Sequence, residues 1–214
     1  MTKLPFQQIA ETAPTGWVLL YDTIVTRIPT KDFATGLALV AQIGAAAEAA
    51  GHHPDLDLRY SAVEVRLTSH DEGGVTERDL DLARIISALA ADAGLTPSAG
   101  GLSYLELGLD TPDSAAVAPF WAAVLGMTVH DDQEVVDEAG RLPTIWFQRS
   151  GREEPRQRWH HDLFVDPSEV QPRIDAAVAA GGRLVSDAEA PSFWVLADPE
   201  DNKVCLCTWQ DRQP

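Results

Sequence analysis

The order of predicted strands and helices in this 214-residue chain indicates an α+β fold in two parts. The first part reads strand, strand, helix, strand, strand, helix, which is typical of a four-stranded antiparallel sheet with helices on one face. The second part contains a β-α-β-β-β pattern of about 50 residues twice, and such paired modules fold together rather than alone. A polar, glycine-containing run at 94–101 separates the parts. We therefore predict domains at residues 1–97 and 98–214.

The first part begins with a predicted β-hairpin. Residues 17–20 and 23–28 are rich in aromatic and β-branched side chains and stand on either side of a tight turn at Tyr21-Asp22. A helical pattern follows and ends at Gly51, because apolar residues recur every three or four positions up to that point. The predicted core-facing stripe consists of Phe33, Leu37, Val40, Ile43 and Ala47.

A second pair of strands and a second helix complete the first part. Residues 56–60 and 62–68 predict the strands, the latter by alternation of apolar and polar side chains. The helix begins at Thr76, which with Asp79 three positions later comes close to a capping box. Stabilisation of the helix end is therefore one sufficient explanation of Asp79. The apolar positions of this helix are Leu80, Leu82, Ala83, Ile86 and Leu89.

Three of the six histidines, His52, His53 and His70, stand between residues 48 and 79. His52 and His53 follow the end of a predicted helix, where exposed carbonyls favour a protonated ring, and Glu48 lies one turn before His52 and could orient it. His70 follows the end of a predicted strand. Because imidazole exchanges protons near neutral pH, the cluster indicates acid-base chemistry.

Two other interpretations of the histidines remain open. They could bind a metal such as zinc, although the adjacent His52 and His53 cannot easily face one ion and no cysteine accompanies them. They could also be a surface pair, His52 and His53, together with a hydrogen-bonded core histidine, His70.

Read in order, these residues resemble the pterin-4a-carbinolamine dehydratases over roughly residues 15–92. The motif Glu48-x-x-x-His52-His53-Pro54-Asp55 is followed by the segment Thr68-Ser69-His70-Asp71 and by Asp79. Two positions depart from the family pattern: Leu56 stands where many members carry an aromatic residue, and Ser69 where threonine usually precedes the third histidine. Neither departure removes a group that can carry a proton.

The resemblance implies dehydration of 4a-hydroxytetrahydropterin to quinonoid dihydropterin, without a cofactor, as a step in recycling the pterin of aromatic amino-acid hydroxylases. It implies acid-base roles for His52 and His70 and a mainly orienting role for His53. Glu48, Pro54 and Asp79 would surround the substrate. Two imidazoles in different environments are what separate acid and base roles require.

The second part resembles the glyoxalase-like branch of the vicinal-oxygen-chelate superfamily over about residues 102–210. The signatures Leu125-Gly126 and Asp198-Pro199-x-x-Asn202 support this, with Asp201 in place of the usual glycine. In each module a strand leads into a helix, predicted to start at 110–113 in the first copy and at 166–168 in the second, and three short strands follow.

Metal-dependent members of that superfamily place four ligands on four strands. The matching positions here are Tyr104, Trp146, His160 and Cys205, of which only His160 is a good nitrogen or oxygen ligand. We therefore expect no metal at that position. His160 and Asp162 share one face of their strand, where they could line a pocket or form a hydrogen bond within a filled core.

Composition limits the partners. With 16 Lys and Arg against 33 Asp and Glu, the formal net charge of −17 disfavours nucleic acids and anionic membranes, so we expect a small-molecule partner. We expect no membrane span, because no apolar run approaches the roughly 18 to 20 residues that one needs. Residues 1–5 open no signal peptide, because no apolar region follows them. Both observations predict a cytoplasmic protein. Cys205 and Cys207 are predicted to be thiols rather than a disulfide. The dehydratase resemblance implies oligomers, and we expect a homodimer.

Two other functions compete with the dehydratase. Dehydratase-family members can act as dimerisation partners of transcription regulators, and glyoxalase-like folds can sequester ligands, so the chain could be a binding or regulatory protein. Alternatively, the second part could be the enzyme, with a metal ion close to His160. The presence of His52, His53 and His70 together favours the dehydratase, since a scaffold does not need all three.

Overall fold

The computed structural model describes residues 2–130, 134–151, 158–197 and 203–212, apart from the side chains of Phe120, Ala123 and Val124. The chain forms two compact units, the N-terminal unit with residues 1–103 and 208–214 and the C-terminal unit with residues 104–207. Both combine strands and helices, so the predicted α+β class is confirmed. The predicted domain boundary between residues 97 and 98 stays a prediction.

The N-terminal unit contains a four-stranded antiparallel sheet in the order β1-β2-β4-β3. Val63, Val65 and Leu67 of one strand alternate into the core beside Ile24 and Ile28 of its neighbour, and the helices cover this face. The elements are α1 (Phe6–Thr12), β1 (Val18–Leu20), β2 (Thr23–Pro29), α2 (Phe33–Ala50), β3 (Asp55–Arg59), β4 (Ala62–Leu67) and α3 (Glu77–Asp92).

Helix α2 buries a different stripe from the predicted one. Ile43 and Ala47 are buried as expected, but Phe33 and Leu37 are 48% and 54% exposed, so the prediction for these two is wrong. At 3.6 residues per turn they lie roughly 80° and 120° around the helix from Ile43. Gly36 lies in the buried stripe instead. The helix packs so closely there that a Cβ at position 36 would come within 2.7 Å of the Leu58 side chain.

Helix α2 also corrects the expectation about apolar runs. Its 18 residues are long and apolar enough, by length and composition, to cross a bilayer. In the structure, however, Leu39, Ile43 and Ala47 pack into the hydrophobic core of the N-terminal unit. A core helix of a globular unit has the same composition, and these contacts favour that interpretation.

The C-terminal unit consists of two β-α-β-β-β modules that share an eight-stranded sheet in the order β10-β11-β12-β9-β5-β8-β7-β6. In each module the first strand pairs parallel with the last, β5 with β8 and β9 with β12. The first module is β5 (Ser103–Thr111), α4 (Ser114–Leu125), β6 (Thr128–His130), β7 (Glu134–Val136) and β8 (Ile145–Arg149). The second is β9 (Trp159–Val165), α5 (Pro167–Ala179), β10 (Arg183–Ser186), β11 (Phe193–Ala197) and β12 (Lys203–Cys207).

The start of α4 differs from the prediction. Strand β5 continues through Thr111, and the side chain of Asp113 accepts the hydrogen bond that caps the helix, from the Ala116 N–H. Asp110, the first residue of the predicted helix start, is therefore a strand residue, and its carboxylate lies 3.8 Å from Nε2 of His160 on β9. The helices pack on the alternate residues, in which Leu109, Val165 and Leu206 are buried.

Two glycines of α2 test how this helix is built. Gly51 adopts a left-handed conformation with φ of 61° at the helix end, whereas Gly44 lies inside the helix, and a Cβ at either would meet no atom within 4 Å. Gly51→Ala is expected to lower the free energy of unfolding by about 1–2 kcal/mol through backbone strain. Gly44→Ala is expected to raise it by about 1 kcal/mol through helix propensity. Denaturant unfolding measures both, and shifts of the same sign would contradict this account.

Candidate functional site

Three chain segments meet at the predicted histidine cluster. Gly51 ends α2 in a left-handed turn, and the next residue, His52, donates its backbone N–H to the Ala47 carbonyl at 3.2 Å. This places His52 directly under the helix end, with only 9% of its surface exposed. The end of β4 supplies Ser69, and the beginning of α3 supplies Thr76 and Asp79.

The carboxylate of Asp79 lies at the centre of this site. Its side chain is completely buried, and Oδ1 lies 2.6 Å from Nε2 of His52. Oδ2 accepts hydrogen bonds from the Thr76 backbone N–H and the Ser69 hydroxyl, both at 2.7 Å. Thr76 and Asp79 form the capping box of α3, so the helix N-terminus also stabilises the negative charge. Asp79 therefore both caps a helix and binds His52.

Ser69 also belongs to the site, although the sequence did not predict that its hydroxyl would bind Asp79. It is 1% exposed, and its backbone pairs with Gly74 in both directions, which closes the loop that carries His70. The only signal in the sequence was its position, where the dehydratase family usually has threonine. The Ser69 hydroxyl donates to Oδ2 of Asp79, so this position supplies a hydrogen-bond donor to the site.

His53 and Glu48 form a separate pair at the surface. Nε2 of His53 lies 3.1 Å from Oε1 of Glu48, and their side chains are 62% and 80% exposed. Glu48 thus contacts His53 rather than His52, whose carboxylate partner is Asp79. The partly buried Pro54 follows directly and leads the chain into β3.

His70 is exposed and follows Ser69, which ties its backbone to the Asp79 site. Asp71 next to it accepts a hydrogen bond from Arg78 at 2.5 Å, and this hydrogen bond lowers the pKa of the Asp71 carboxyl. The structure therefore places one buried imidazole, His52, and two exposed ones, His53 and His70, around the ends of α2 and β4. This difference in environment is what distinct acid, base and binding roles need.

A second group of polar side chains lies on the sheet of the C-terminal unit. Nδ1 of His160 lies 3.0 Å from Oδ1 of Asp162, and the Trp146 indole N–H donates to the other oxygen of Asp162 at 3.1 Å. The rings of Trp146 and His160 meet edge to face, with centroids 4.9 Å apart. Asp162 is 9% exposed. Trp146, His160 and Asp162 are thus brought together, whereas Tyr104 has its hydroxyl 3.4 Å from the Thr144 hydroxyl.

Gly108, Asp110 and Cys205 complete this group. A Cβ at Gly108 would come within 2.3 Å of the His160 ring, so the absence of a side chain there makes room for the imidazole. Oδ1 of Asp110 lies 3.8 Å from Nε2 of His160. Cys205 and Cys207 are not joined by a disulfide. The sequence signal for Asp110 was its alternation with Gly108 along β5, which the predicted helix start obscured. The signature at 198–202 lies outside the described residues.

The environment of His160 favours its charged form. The hydrogen bond from its ring to Asp162, followed by the charges of Asp162 and Asp110, raises the pKa of His160 above its ordinary value of 6.5, against the opposing effect of partial burial.

Comparisons with known proteins agree with this division of the chain. The family described as pterin 4 alpha carbinolamine dehydratase matches residues 2–89, and the family described as glyoxalase-like domain matches residues 106–207. A relative from Acidobacterium capsulatum, named "Putative pterin-4-alpha-carbinolamine dehydratase", is 47% identical over 74 residues, 35% of this chain and 80% of the relative. One of the same name from Chloroflexus aurantiacus is 41% identical over 91 residues, 42% of this chain and 98% of the relative.

Two solved structures are also similar. One is described as a transcriptional coactivator/pterin dehydratase from Brucella melitensis, is 34% identical, and covers 42% of this chain and 99% of its own at a TM-score of 0.40. The other is a glyoxalase/bleomycin resistance protein/dioxygenase superfamily member from Vibrio splendidus, is 13% identical, and covers 50% of this chain and 99% of its own at a TM-score of 0.34.

The titration of His160 tests the geometry of the C-terminal group. In metal-free protein, NMR is expected to show a midpoint for its imidazole above 6.5, and Asp162→Asn is expected to lower that midpoint because the largest cause of the shift is lost. Since the folded-state pKa is raised, the associated stability is fully present below pH 6.5 and is lost as the pH rises through the folded-state pKa. A midpoint unchanged by Asp162→Asn would contradict the hydrogen bond.

Proposed function

The chain belongs, through its N-terminal unit, to the pterin-4-alpha-carbinolamine dehydratase family, and from this premise we propose that it dehydrates 4a-hydroxytetrahydropterins. The reaction removes the 4a-hydroxyl as water and gives the quinonoid dihydropterin. It needs an acid that protonates the leaving hydroxyl and a base that takes the proton from a ring nitrogen. Pterin recycling in the cytoplasm is the setting that we propose for it.

The observation that carries this proposal is the buried pair of His52 and Asp79. Asp79 has donors on Oδ2 from Thr76 and Ser69, which leaves Oδ1 as the acceptor facing His52. An ionised carboxylate can only accept, so the proton between them belongs to Nε2 of His52. Nδ1 is then the ring nitrogen that takes up and releases a proton. Asp79 holds the tautomer and the orientation, as a carboxylate does for a catalytic histidine in other enzymes.

The remaining histidines take the other roles. His70, exposed beyond β4, is the second acid-base group, and the ion pair of Asp71 with Arg78 and the backbone pairing of Ser69 with Gly74 hold its loop. His53, oriented by Glu48, binds the substrate from the surface side. Because both groups are exposed, they are accessible to a pterin entering from solvent, whereas His52 is only 9% exposed.

The first test measures the dehydration of freshly generated 4a-hydroxytetrahydropterin. His52→Ala and His70→Ala are each expected to reduce kcat by at least about a hundredfold, which is the loss expected when one acid-base group is removed. His53→Ala is expected to act mainly on KM. Circular dichroism and thermal unfolding establish that each variant is folded.

Failure of this test has a defined meaning. A wild-type protein that does not exceed the uncatalysed rate would refute the dehydratase and leave the binding or regulatory interpretation. A folded His52→Ala variant with full activity would refute the assigned role of His52 while leaving the reaction. Light scattering tests the expected homodimer separately, and a monomer would refute it.

A matched pair of carboxylate-to-amide changes tests the role of Asp79. Asp79→Asn retains the size of the side chain, but its amide can donate to Nε2 and so favours the proton on Nδ1, the wrong tautomer. We expect kcat to fall at least about a hundredfold. Glu48→Gln makes the same chemical change beside the exposed His53 and is expected to change kcat less than tenfold, within the small effect of exposed ion pairs. Equal losses in the two variants would contradict the orienting role of Asp79.

A further inference from the structure

We propose that His160, Asp162 and Cys205 of the C-terminal unit form a binding site for a divalent cation of the Zn²⁺ type. One ring nitrogen of His160, one carboxylate oxygen of Asp162 and the Cys205 sulfur all lie within 4.8 Å of one another. Among the residues that the structure describes, no other group of three potential ligand side chains converges in this way. The site is independent of the dehydratase proposed for the N-terminal unit.

The strand pairing brings the three ligands together. Strands β9 and β12 run parallel, and Cys205 stands directly opposite Asp162 in their register. His160 precedes Asp162 by two residues, so its side chain emerges on the same face of the sheet. The ligands therefore come from two neighbouring backbones held by a regular ladder, which is a rigid support for a metal site.

The separations fit one small cation. Ligand bonds of about 2.0–2.3 Å around a tetrahedral Zn²⁺ place the donor atoms roughly 3.3–3.7 Å apart. Nδ1 of His160 and Oδ1 of Asp162 are 3.0 Å apart across a hydrogen bond. Since all three ligand atoms lie within 4.8 Å of one another, the sulfur needs to approach by at most about 1 Å to meet this range. Nitrogen, oxygen and thiolate donors together favour Zn²⁺ over Mg²⁺ or Ca²⁺, which prefer oxygen alone.

This ligand set differs from the one that the superfamily uses. Two of the four matching positions hold Tyr104 and Trp146, and an indole has no lone pair to offer a metal, so the usual four ligands cannot form here. Asp162 lies outside those positions and supplies the additional oxygen. The inference thus rests on this chain's own residues, and it replaces the expectation that no metal binds at this position.

Residues next to the three ligands hold them in position, as the groups around a metal site usually do. The Trp146 indole N–H donates to Oδ2 of Asp162, which turns the other oxygen towards His160. Gly108 leaves the space that the His160 ring fills. Nε2 of His160 is buried and has no hydrogen-bond partner in the described part of the chain. Asp110 lies 3.8 Å from Nε2, and a small approach would let its carboxylate accept a hydrogen bond from the Nε2–H when Nδ1 binds a metal. Three protein ligands leave a fourth position for an oxygen atom of a small molecule.

Metal binding to the full-length protein is the test. After treatment with a chelator, the wild type is expected to bind one equivalent of Zn²⁺ per chain by calorimetry and elemental analysis. Co²⁺ in the same site is expected to show thiolate-to-cobalt charge-transfer absorption, because Cys205 is a ligand. Cys205→Ser is expected to abolish this absorption, and Asp162→Asn and His160→Gln to weaken Zn²⁺ binding at least about a hundredfold. Trp146→Phe, which removes the supporting hydrogen bond and part of the ring that packs against His160, is expected to weaken it roughly 10- to 100-fold.

Neighbouring residues provide matched controls. Cys207→Ser, two residues along the same strand, and His161→Gln, at the exposed position beside His160, are expected to retain stoichiometric binding and the absorption. His52→Gln with His70→Gln is expected to retain both as well, which separates this site from the N-terminal histidines. Dehydration activity is not part of the readout, so the outcome is distinguishable from that of the dehydratase test.

Three results would overturn the proposal. The first is wild-type protein that binds no stoichiometric Zn²⁺. The second is binding that persists unchanged in folded variants of His160, Asp162 or Cys205. The third is a Co²⁺ spectrum without thiolate charge transfer, which remains decisive if a substituted variant fails to fold, since it needs only the wild type.

Discussion

A single buried carboxylate, that of Asp79, holds the N-terminal site together. A charge removed from water costs several kcal/mol unless hydrogen bonds or an opposite charge compensate for it. Here the compensation comes from three segments at once: the first turn of α3 through Thr76, the end of β4 through Ser69, and the end of α2 through His52. If these segments moved apart, the buried carboxylate would lose its hydrogen-bond partners. Asp79, which orients the imidazole of His52, therefore also holds the three segments together.

In the C-terminal unit, the alternation of side chains along the strands separates the apolar core from a group of polar residues. Along β5 and β9 every second side chain, such as Leu109 and Val165, packs beneath the helices. The intervening side chains of Asp110, His160 and Asp162 point to the other face. One period-two pattern therefore supplies both a core and a surface for polar groups. The rigidity of the helix-backed sheet is what allows three ligand atoms to stay within a few ångströms of one another.

The elements of both units were predictable because their patterns are local. The hairpin, the capping box at Thr76, and both β-α-β-β-β modules follow from periodicity, turn residues and caps, and all occur in the structure. Prediction failed where a tertiary contact overrode periodicity. Gly36 allows α2 to approach the Leu58 side chain and so rotates the buried stripe away from Phe33 and Leu37. Near α4, the hydrogen-bonded ladder extends β5 into the first two residues of the predicted helix start, Asp110 and Thr111.

The sequence alone determined which groups can carry chemistry and where they lie on their elements, because helix ends and strand faces are properties of neighbouring residues. It placed His52 after a helix end and His160 with Asp162 on one strand face. It did not determine which groups meet. The partner of His52 is Asp79, 27 positions away, rather than the nearby Glu48. Cys205 reaches Asp162 only through the parallel pairing of β9 and β12. Such meetings depend on how distant segments pack, and only the tertiary structure decides that.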